Sequence, residues 1–427
     1  MSATLAVVVF VVTYTLIATE RVPRVHAAIG GAAVMAVLGI VDTDTAFYDS
    51  DRGIDWNVIA LLFGMMLIVG VLRQTGLFGF LAVWCVQVSR GRPFPLMALL
   101  IVVTASASAL LDNVTTVLLV APVVLRVCRE LDLPSGPYLI SVACASNIGG
   151  TATLIGDPPN IMIASRTGLT FNDFLANLAP LVVVLVVVYV GLCRVYFRRV
   201  LTVSGGGVPV PPPAADPWEQ IVDRGLLWRC LAVLVVVIAG FVMHSVVHVQ
   251  PALVALLGAV AMILVARAST EEVLADVEWE TLAFFMALFV LVGGLSGEGV
   301  IDAIGSFAVD AADGRWFLAA TTLLFGSAVL GAFVDNIPYT AAMIPVVEDL
   351  VATDPDAAFP LWWAFALGAD LGGNTTAVAA GANVVVTGIA ARSGEPISFW
   401  QFTKHGLLTT AVTLTIAWVY VGWRYFS

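Results

Sequence analysis

CASNIGGTATLIGDPPN (residues 144–160) and LGADLGGNTTAVAAGAN (residues 367–383) decide how this chain folds. Each lies inside a long apolar stretch, 138–166 and 360–392, and interrupts it with paired glycines and polar side chains. Gly149-Gly150 and Gly372-Gly373 loosen a helix, and Pro158-Pro159 has no N–H for the helical ladder. Both stretches are therefore expected to be broken helices with unpaired backbone groups at the break. The positive end of a half-helix suits an anion or a polarised oxygen, and exposed carbonyls suit a cation. In a bilayer such backbone survives only when buried in protein or lining an aqueous cavity.

The surrounding chain makes the bilayer the right setting. Its 427 residues are 60% apolar and 11% charged, with a mean hydropathy of +0.99. A soluble exterior cannot be built from so few charges. Besides the two broken stretches, candidate spans fall near 3–19, 25–41, 57–72, 174–194, 226–246, 251–267, 280–296 and 404–423. The first reads as a retained span rather than a signal peptide, since it lacks a basic n-region and a small-residue cleavage site. The net charge of −11 comes from acidic loops. There is no basic stripe, no zinc-type cysteine spacing and no C-x-x-C among the five cysteines, so nucleic acid and a structural metal are excluded as partners.

The two halves repeat. At a constant offset of 223, Trp56 meets Trp279, Gly70 meets Gly293, Asp112-Asn113 meets Asp335-Asn336, Gly149-Gly150 meets Gly372-Gly373, Thr153 meets Thr376 and Asn160 meets Asn383. A fixed register through four elements is an internal duplication. The expected division is a first repeat over 1–200, a Gly/Pro linker over 201–223 and a second repeat over 224–427. The fold class is all-α and polytopic: two inverted repeats, each of about five transmembrane helices plus one re-entrant hairpin. With the N-terminus outside, fifteen basic residues fall on the cytoplasmic side against four outside, namely Arg52, Arg166, Arg315 and Arg424.

The hairpins are the apolar stretches 95–129 and 316–351, each centred on an Asp-Asn pair. Their arms of about 15 residues are short for full spans, so tips at mid-depth are expected. Asp112 and Asp335 would sit there, and an ionisable group at mid-membrane points to function. Both could instead be helix caps. Asp157, before Pro158-Pro159, also looks like an N-cap, and the two roles can coexist. Asp112, Asp157, Asp335 and Asp370 converge if the repeats pack face to face. His244 and His248 read as a solvated helix end, Cys144 as a small apolar filler, Trp56 and Trp279 as interface anchors, and Glu298 and Asp302 as an exposed amphipathic helix.

The residues DNVTTVLLVAP and SNIGGTATLIGDPPNIMIAS resemble the ArsB/NhaD branch of the ion transporter superfamily, in particular ArsB-like permeases and the melanosomal P-protein group. The resemblance covers essentially the whole chain. It implies two inverted repeats, an elevator-like movement and a homodimer; the expected location is the bacterial cell membrane, and the sequence holds no H-E-x-x-H, G-x-S-x-G or cofactor motif that would point to an enzyme. Carried over by position, the substrate and ion site comprises Asp112, Asn113, Thr115, Thr116, Asn147, Gly149, Gly150, Thr151, Thr153, Asp157 and Asn160. The second repeat adds Asp335, Asn336, Asp370, Gly372, Gly373, Asn374, Thr375, Thr376 and Asn383. The Ser-Asn-Thr signatures of dicarboxylate relatives are absent.

The expected activity is proton-coupled efflux of a small inorganic species such as arsenite or antimonite. As(OH)₃ is neutral at pH 7, and the predicted set contains no Arg, Lys or His to clamp an anion. Alternatives are Na⁺/H⁺ exchange or transport of another small anion. The expected coupling ion is H⁺ or Na⁺, and no other cofactor is implied. Asp157 is expected to handle the proton, because a rigid Pro-Pro fixes it at a helix end.

Overall fold

The chain was analysed as a computed structural model, which describes residues 2–19, 21–49, 52–203 and 216–427. The Gly/Pro linker core lies outside them. Among the described residues there are helices and no strands.

The first half runs α1 (Ser2–Thr19), α2 (Arg24–Val37), α3 (Thr43–Tyr48), α4 (Trp56–Gln74), α5 (Leu77–Ser89) and α6 (Pro93–Ser108). It continues with α7 (Asn113–Glu130), α8 (Ser135–Gly150), α9 (Pro158–Thr167), α10 (Phe171–Asn177), α11 (Ala179–Tyr196) and α12 (Arg198–Val203). A 3₁₀ turn at Pro217–Gln220 precedes the second half. That half opens with α13 (Arg224–Val247), α14 (Pro251–Ala266), α15 (Thr270–Ala275), α16 (Trp279–Gly297), α17 (Val300–Ala312) and α18 (Trp316–Gly331). It ends with α19 (Asn336–Thr353), α20 (Pro355–Ala358), α21 (Leu361–Gly372), α22 (Gly381–Arg392) and α23 (Phe399–Tyr425).

Helix starts follow local chemistry. Pro93, Pro158-Pro159 and Pro251 occupy the first turns of α6, α9 and α14, where a missing N–H costs nothing. Asp55 caps α4 by accepting from the N–H groups of Asn57 and Val58. Gly76 and Gly299 begin α5 and α17 with φ of +83° and +69°. At Gly76 a side chain would also collide with the Gln220 carbonyl, so glycine is needed for φ and for space.

The duplication is visible element by element. Helices α4 to α7 recur as α16 to α19 with starts displaced by 223, and the broken pair α8–α9 recurs as α21–α22. The turn after α5 uses left-handed Arg90-Gly91, and the turn after α17 uses left-handed Asp313-Gly314. The halves interlock through equivalent contacts. α4 packs on α14 and α16 on α2, while α7 packs on α22 and α19 on α9. Gly31 of α2 lies against Leu291, and Gly258 of α14 against Ile68, two pairs that correspond through the repeat.

Only five described helices are long and apolar enough to cross a bilayer singly: α4, α11, α13, α16 and α23. The other apolar elements are shorter or come in pairs. Of the residues expected on an amphipathic helix, Asp302 is exposed on α17, whereas Glu298 terminates α16 and is half-buried. The new helix begins only after Gly299, whose left-handed backbone leaves Glu298 at the end of α16.

Candidate functional site

The hairpins α6–α7 and α18–α19 lay their tips against the breaks in α8–α9 and α21–α22. Thr153 Oγ1 donates to the Ala109 carbonyl at 2.6 Å, and its repeat equivalent Thr376 donates to the Ala332 carbonyl at 2.8 Å. Each break is stitched by an asparagine one turn into the second half-helix. Asn160 Nδ2 donates to the Thr153 carbonyl at 3.2 Å, and Asn383 Nδ2 donates to the Gly373 and Thr376 carbonyls at 2.7 and 2.8 Å. These amides replace partners that the glycine-loosened backbone cannot find in its own helix.

The glycines of the motif serve close approach. A Cβ on Gly149 would collide with the backbone of Ala105, and one on Gly372 would lie 2.6 Å from Ala328 Cα. Gly150 is pressed against Gly156, and Gly373 faces Asn336. Thr151 Oγ1 donates to the Asn147 carbonyl at 3.0 Å and Thr375 Oγ1 to the Gly372 carbonyl at 2.7 Å.

Between the two breaks lies a buried amide–carboxylate cluster. Asp157 is 0% exposed and accepts from Asn113 Nδ2 at 2.8 Å and from Asn336 Nδ2 at 3.3 Å. Those two asparagines are repeat equivalents, one from each hairpin. Asn113 Nδ2 also donates to Asn147 Oδ1 at 3.1 Å. Asn147 Nδ2 in turn donates to Asn374 Oδ1 and Asn383 Oδ1 at 3.1 and 3.2 Å. One polar chain thus links both hairpins and both broken helices.

The four carboxylates expected to converge do so, with Asp370, Asp335 and Asp112 all within electrostatic reach of Asp157. Their roles differ. Asp112 caps α7, accepting from the Thr115 N–H at 2.8 Å and from Thr115 Oγ1 at 2.5 Å. Asp335 caps α19 through the Ile337 N–H at 3.1 Å. The capping role is therefore observed at both hairpin tips. Asp157 occupies the N-cap position of α9 but makes no side-chain cap bond: Pro158 and Pro159 have no N–H to donate, and asparagines hold its oxygens.

Asp370 is the opposite case: 0% exposed, with neither carboxylate oxygen hydrogen-bonded among the described residues. Asn160 and Thr151 flank it, near enough for weak side-chain hydrogen bonds but not in good hydrogen-bond geometry. Asn160 Oδ1, Asn374 Nδ2, Asn113 Oδ1 and Thr116 Oγ1 are also buried without a partner. A bare buried carboxylate is too costly to persist charged, so this side chain calls for a proton or a cation.

One premise of the sequence reading fails at the rim. The expected set contained no cationic residue, yet Arg24 Nη1 of α2 donates to Asp335 Oδ2 at 2.8 Å. Beneath it Phe284 stacks, its ring centroid 5.5 Å from the guanidinium carbon. Arg24 sits 200 residues or more from every other part of this contact, so no local pattern points to it. A repeat alignment carried back with a shift of four, which pairs Gly31 with Gly258 and Met35 with Met262, would have exposed the oddity of Arg24 opposite Pro251.

The lesser candidates resolve simply. Cys144 is buried in α8. Trp56 and Trp279 are half-exposed, and their indole N–H groups donate to the Phe47 and Leu274 carbonyls. His248 is exposed, while His244 Nε2 accepts the Phe171 N–H at 3.2 Å. No cluster of three metal-ligating side chains occurs among the described residues.

Paired hairpins meeting paired broken helices around buried carboxylates define a polytopic membrane transporter rather than an enzyme. The sequence profile described as Citrate transporter matches residues 14–368, and the chain belongs to that CitMHS family. It is 50% identical to an uncharacterized transporter of Mycobacterium bovis over 99% of this chain and 98% of that one. It is 34% identical to the P protein of Mus musculus, over 98% of this chain and 61% of the P protein, in line with the resemblance noted above. The fold is similar to that of the Alcanivorax borkumensis YdaH transporter, with a TM-score of 0.64 at 15% identity over 100% and 99% of the two chains. Neisseria gonorrhoeae MtrF, described as illuminating a class of antimetabolite efflux pumps, gives 0.56 at 13% identity, covering 100% and 95%.

Proposed function

We propose that this protein is a proton-coupled secondary transporter of the bacterial cell membrane in which Asp157 exchanges the proton and Asp370 shares the coupling site. The observation that carries this reading is the buried Asp157 carboxylate held by one asparagine from each repeat. A group bonded to both hairpins senses any change in their separation. Its protonation state and the arrangement of the halves are therefore linked. The unpartnered Asp370 supports a second proton or a monovalent cation beside it.

For the solute, the core of Asn amides and Thr hydroxyls suits a small uncharged hydroxide such as trivalent arsenic or antimony, moved outward against the proton. A second reading is a carboxylate anion, favoured by the Arg24 guanidinium at the rim and by the substrate in the family's description. Flux assays in proteoliposomes, with and without a pH gradient, over As(OH)₃, citrate and Na⁺ discriminate these.

The decisive variant is Asp157→Asn. The amide keeps the shape and loses the proton, so gradient-driven flux falls by about 100-fold or more, within the range a positioned proton-transfer group contributes. Solute binding survives. Normal coupling in this variant moves the proton role to Asp370.

A further inference from the structure

The repeat predicts two equivalent contacts between the hairpin tips and the helix pairs that face them, α1–α2 and α13–α14. The structure builds them unequally. At the second hairpin, Arg24 pairs with Asp335 at 2.8 Å and Tyr14 Oη donates to the Pro338 carbonyl at 2.7 Å. The register that pairs Gly31 with Gly258 puts Pro251 where Arg24 stands and Phe241 where Tyr14 stands. Neither can donate a side-chain hydrogen bond. Phe241 stacks on Phe171 instead, with centroids 5.8 Å apart.

Two cavities related by the repeat register differ as well. One of about 280 Å³ is bordered by Arg24, Glu280, Asp335, Gly381 and Val384. Its counterpart of about 200 Å³ has Pro251, Asn57 and Ile161 at the matching positions; His244 is its one ionisable side chain, and no residue of the first hairpin borders it. The first cavity reaches a carboxylate that is itself only 7% exposed.

We propose that Asp335 is a second proton-binding site, and that its protonation releases the second hairpin from a latch formed by Arg24 and Tyr14. Pulling the hairpin from α2 with Asp335 ionised would separate opposite charges and leave a buried carboxylate unpaired, which is strongly unfavourable. A proton arriving through the cavity adds to a carboxylate oxygen as O–H and removes that obstacle. Arg24 can lose its partner without being stranded, because its side chain is 31% exposed and rests on Phe284. The other charged or titratable groups facing Asp335 are Tyr14 of α1, Glu280 of α16 and Asp157 at the start of α9. Glu278, ahead of α16, acts on Arg24. Arg24 is the single cation of the group. The first hairpin has no such lock, so the two hairpins are released by different events.

The inference rests on the proton-coupled reading, but its test needs no transport. Spin labels on Ala18→Cys in α1 and Phe333→Cys at the hairpin tip report their separation by pulsed electron resonance in the full-length protein in liposomes. The native cysteines are buried. The expected result is one short distance at high pH and a longer population that grows about tenfold per pH unit as the pH falls, as for a single proton. Arg24→Gln should populate the longer distance at every pH. Tyr14→Phe should keep the titration and move its midpoint to higher pH, since a weaker latch opens with less proton. Arg24→Glu with Asp335→Arg should restore the short distance. Asp157→Asn should keep a pH-dependent distance, its midpoint moved to lower pH by the loss of a neighbouring carboxylate, while losing driven flux, which separates this inference from the proposed coupling role. A pH-independent distance in the labelled parent, or a titration unchanged by both Arg24→Gln and Tyr14→Phe, overturns it.

Discussion

The two hairpin tips carry the same Asp-Asn pair, 223 residues apart, and use it differently. At the first tip Asp112 turns back on its own helix and is held by Thr115, so its carboxylate is satisfied within three residues. At the second tip Asp335 spends one oxygen on its helix and the other on Arg24, 311 residues away. The asparagines diverge less, since both reach Asp157, at 2.8 and 3.3 Å. Duplication supplied two equal frames, and a few substitutions, Thr115 against Pro338 inside the motif and Arg24 against Pro251 outside it, made one tip self-contained and the other tethered.

The largest expected effect probes that difference directly. Asp112→Asn and Asp335→Asn should both leave a folded protein, because Asn caps about as well as Asp. Both should impair driven transport, Asp335→Asn the more severely because it also removes the Arg24 pair. Wild-type flux in both variants would reduce the two carboxylates to caps.

Next in size are the glycines that bring hairpin and broken helix together. Gly149→Ala and Gly372→Ala each force a methyl into Ala105 or Ala328, and overpacking of this kind costs about 1–3 kcal/mol. Thermal unfolding in detergent should show both losses, and a neutral Gly149→Ala would mean that the helices are farther apart than described. Asn113→Ala should then cost more than Asn336→Ala, roughly 1–3 kcal/mol for a buried acceptor left without its donor. The reason is that Asn113 alone also holds Asn147. Equal losses would erase the inequality between the tips. The smallest effect is Thr115→Ala, about 0.5–1.5 kcal/mol for one hydroxyl bond, with no matching loss for Pro338→Ala.

Much of the fold was legible because it rests on local signals. Apolar length, glycine pairs and Pro-Pro mark spans and breaks without reference to distant residues, and the 223-residue register exposed the duplication. The site's Asn and Asp positions followed from the same motifs. The sequence did not show which carboxylate would be bonded, capped or left bare. Asp157, expected to handle the proton with a cap as the alternative, makes no cap bond, whereas Asp112 and Asp335, open to the same two readings, do cap. A side-chain cap needs an N–H to accept, which Pro158 and Pro159 do not offer, and the oxygens of Asp157 are reached instead by asparagines from both hairpins.

By itself, then, the sequence determined an all-helical membrane protein with two copies of one plan, hairpins centred on Asp-Asn, and helices broken at Gly-Gly. Backbone hydrogen bonding in an apolar medium allows little else for such a pattern. Only the tertiary structure decided that Asn113 and Asn336 meet on Asp157, that Asp370 is left unpartnered, and that Arg24 crosses from α2 to Asp335. Those contacts join segments more than 100 residues apart or turn on which of several equivalent donors comes within 3 Å. Periodicity carries no information about that; the packing of one repeat against the other does.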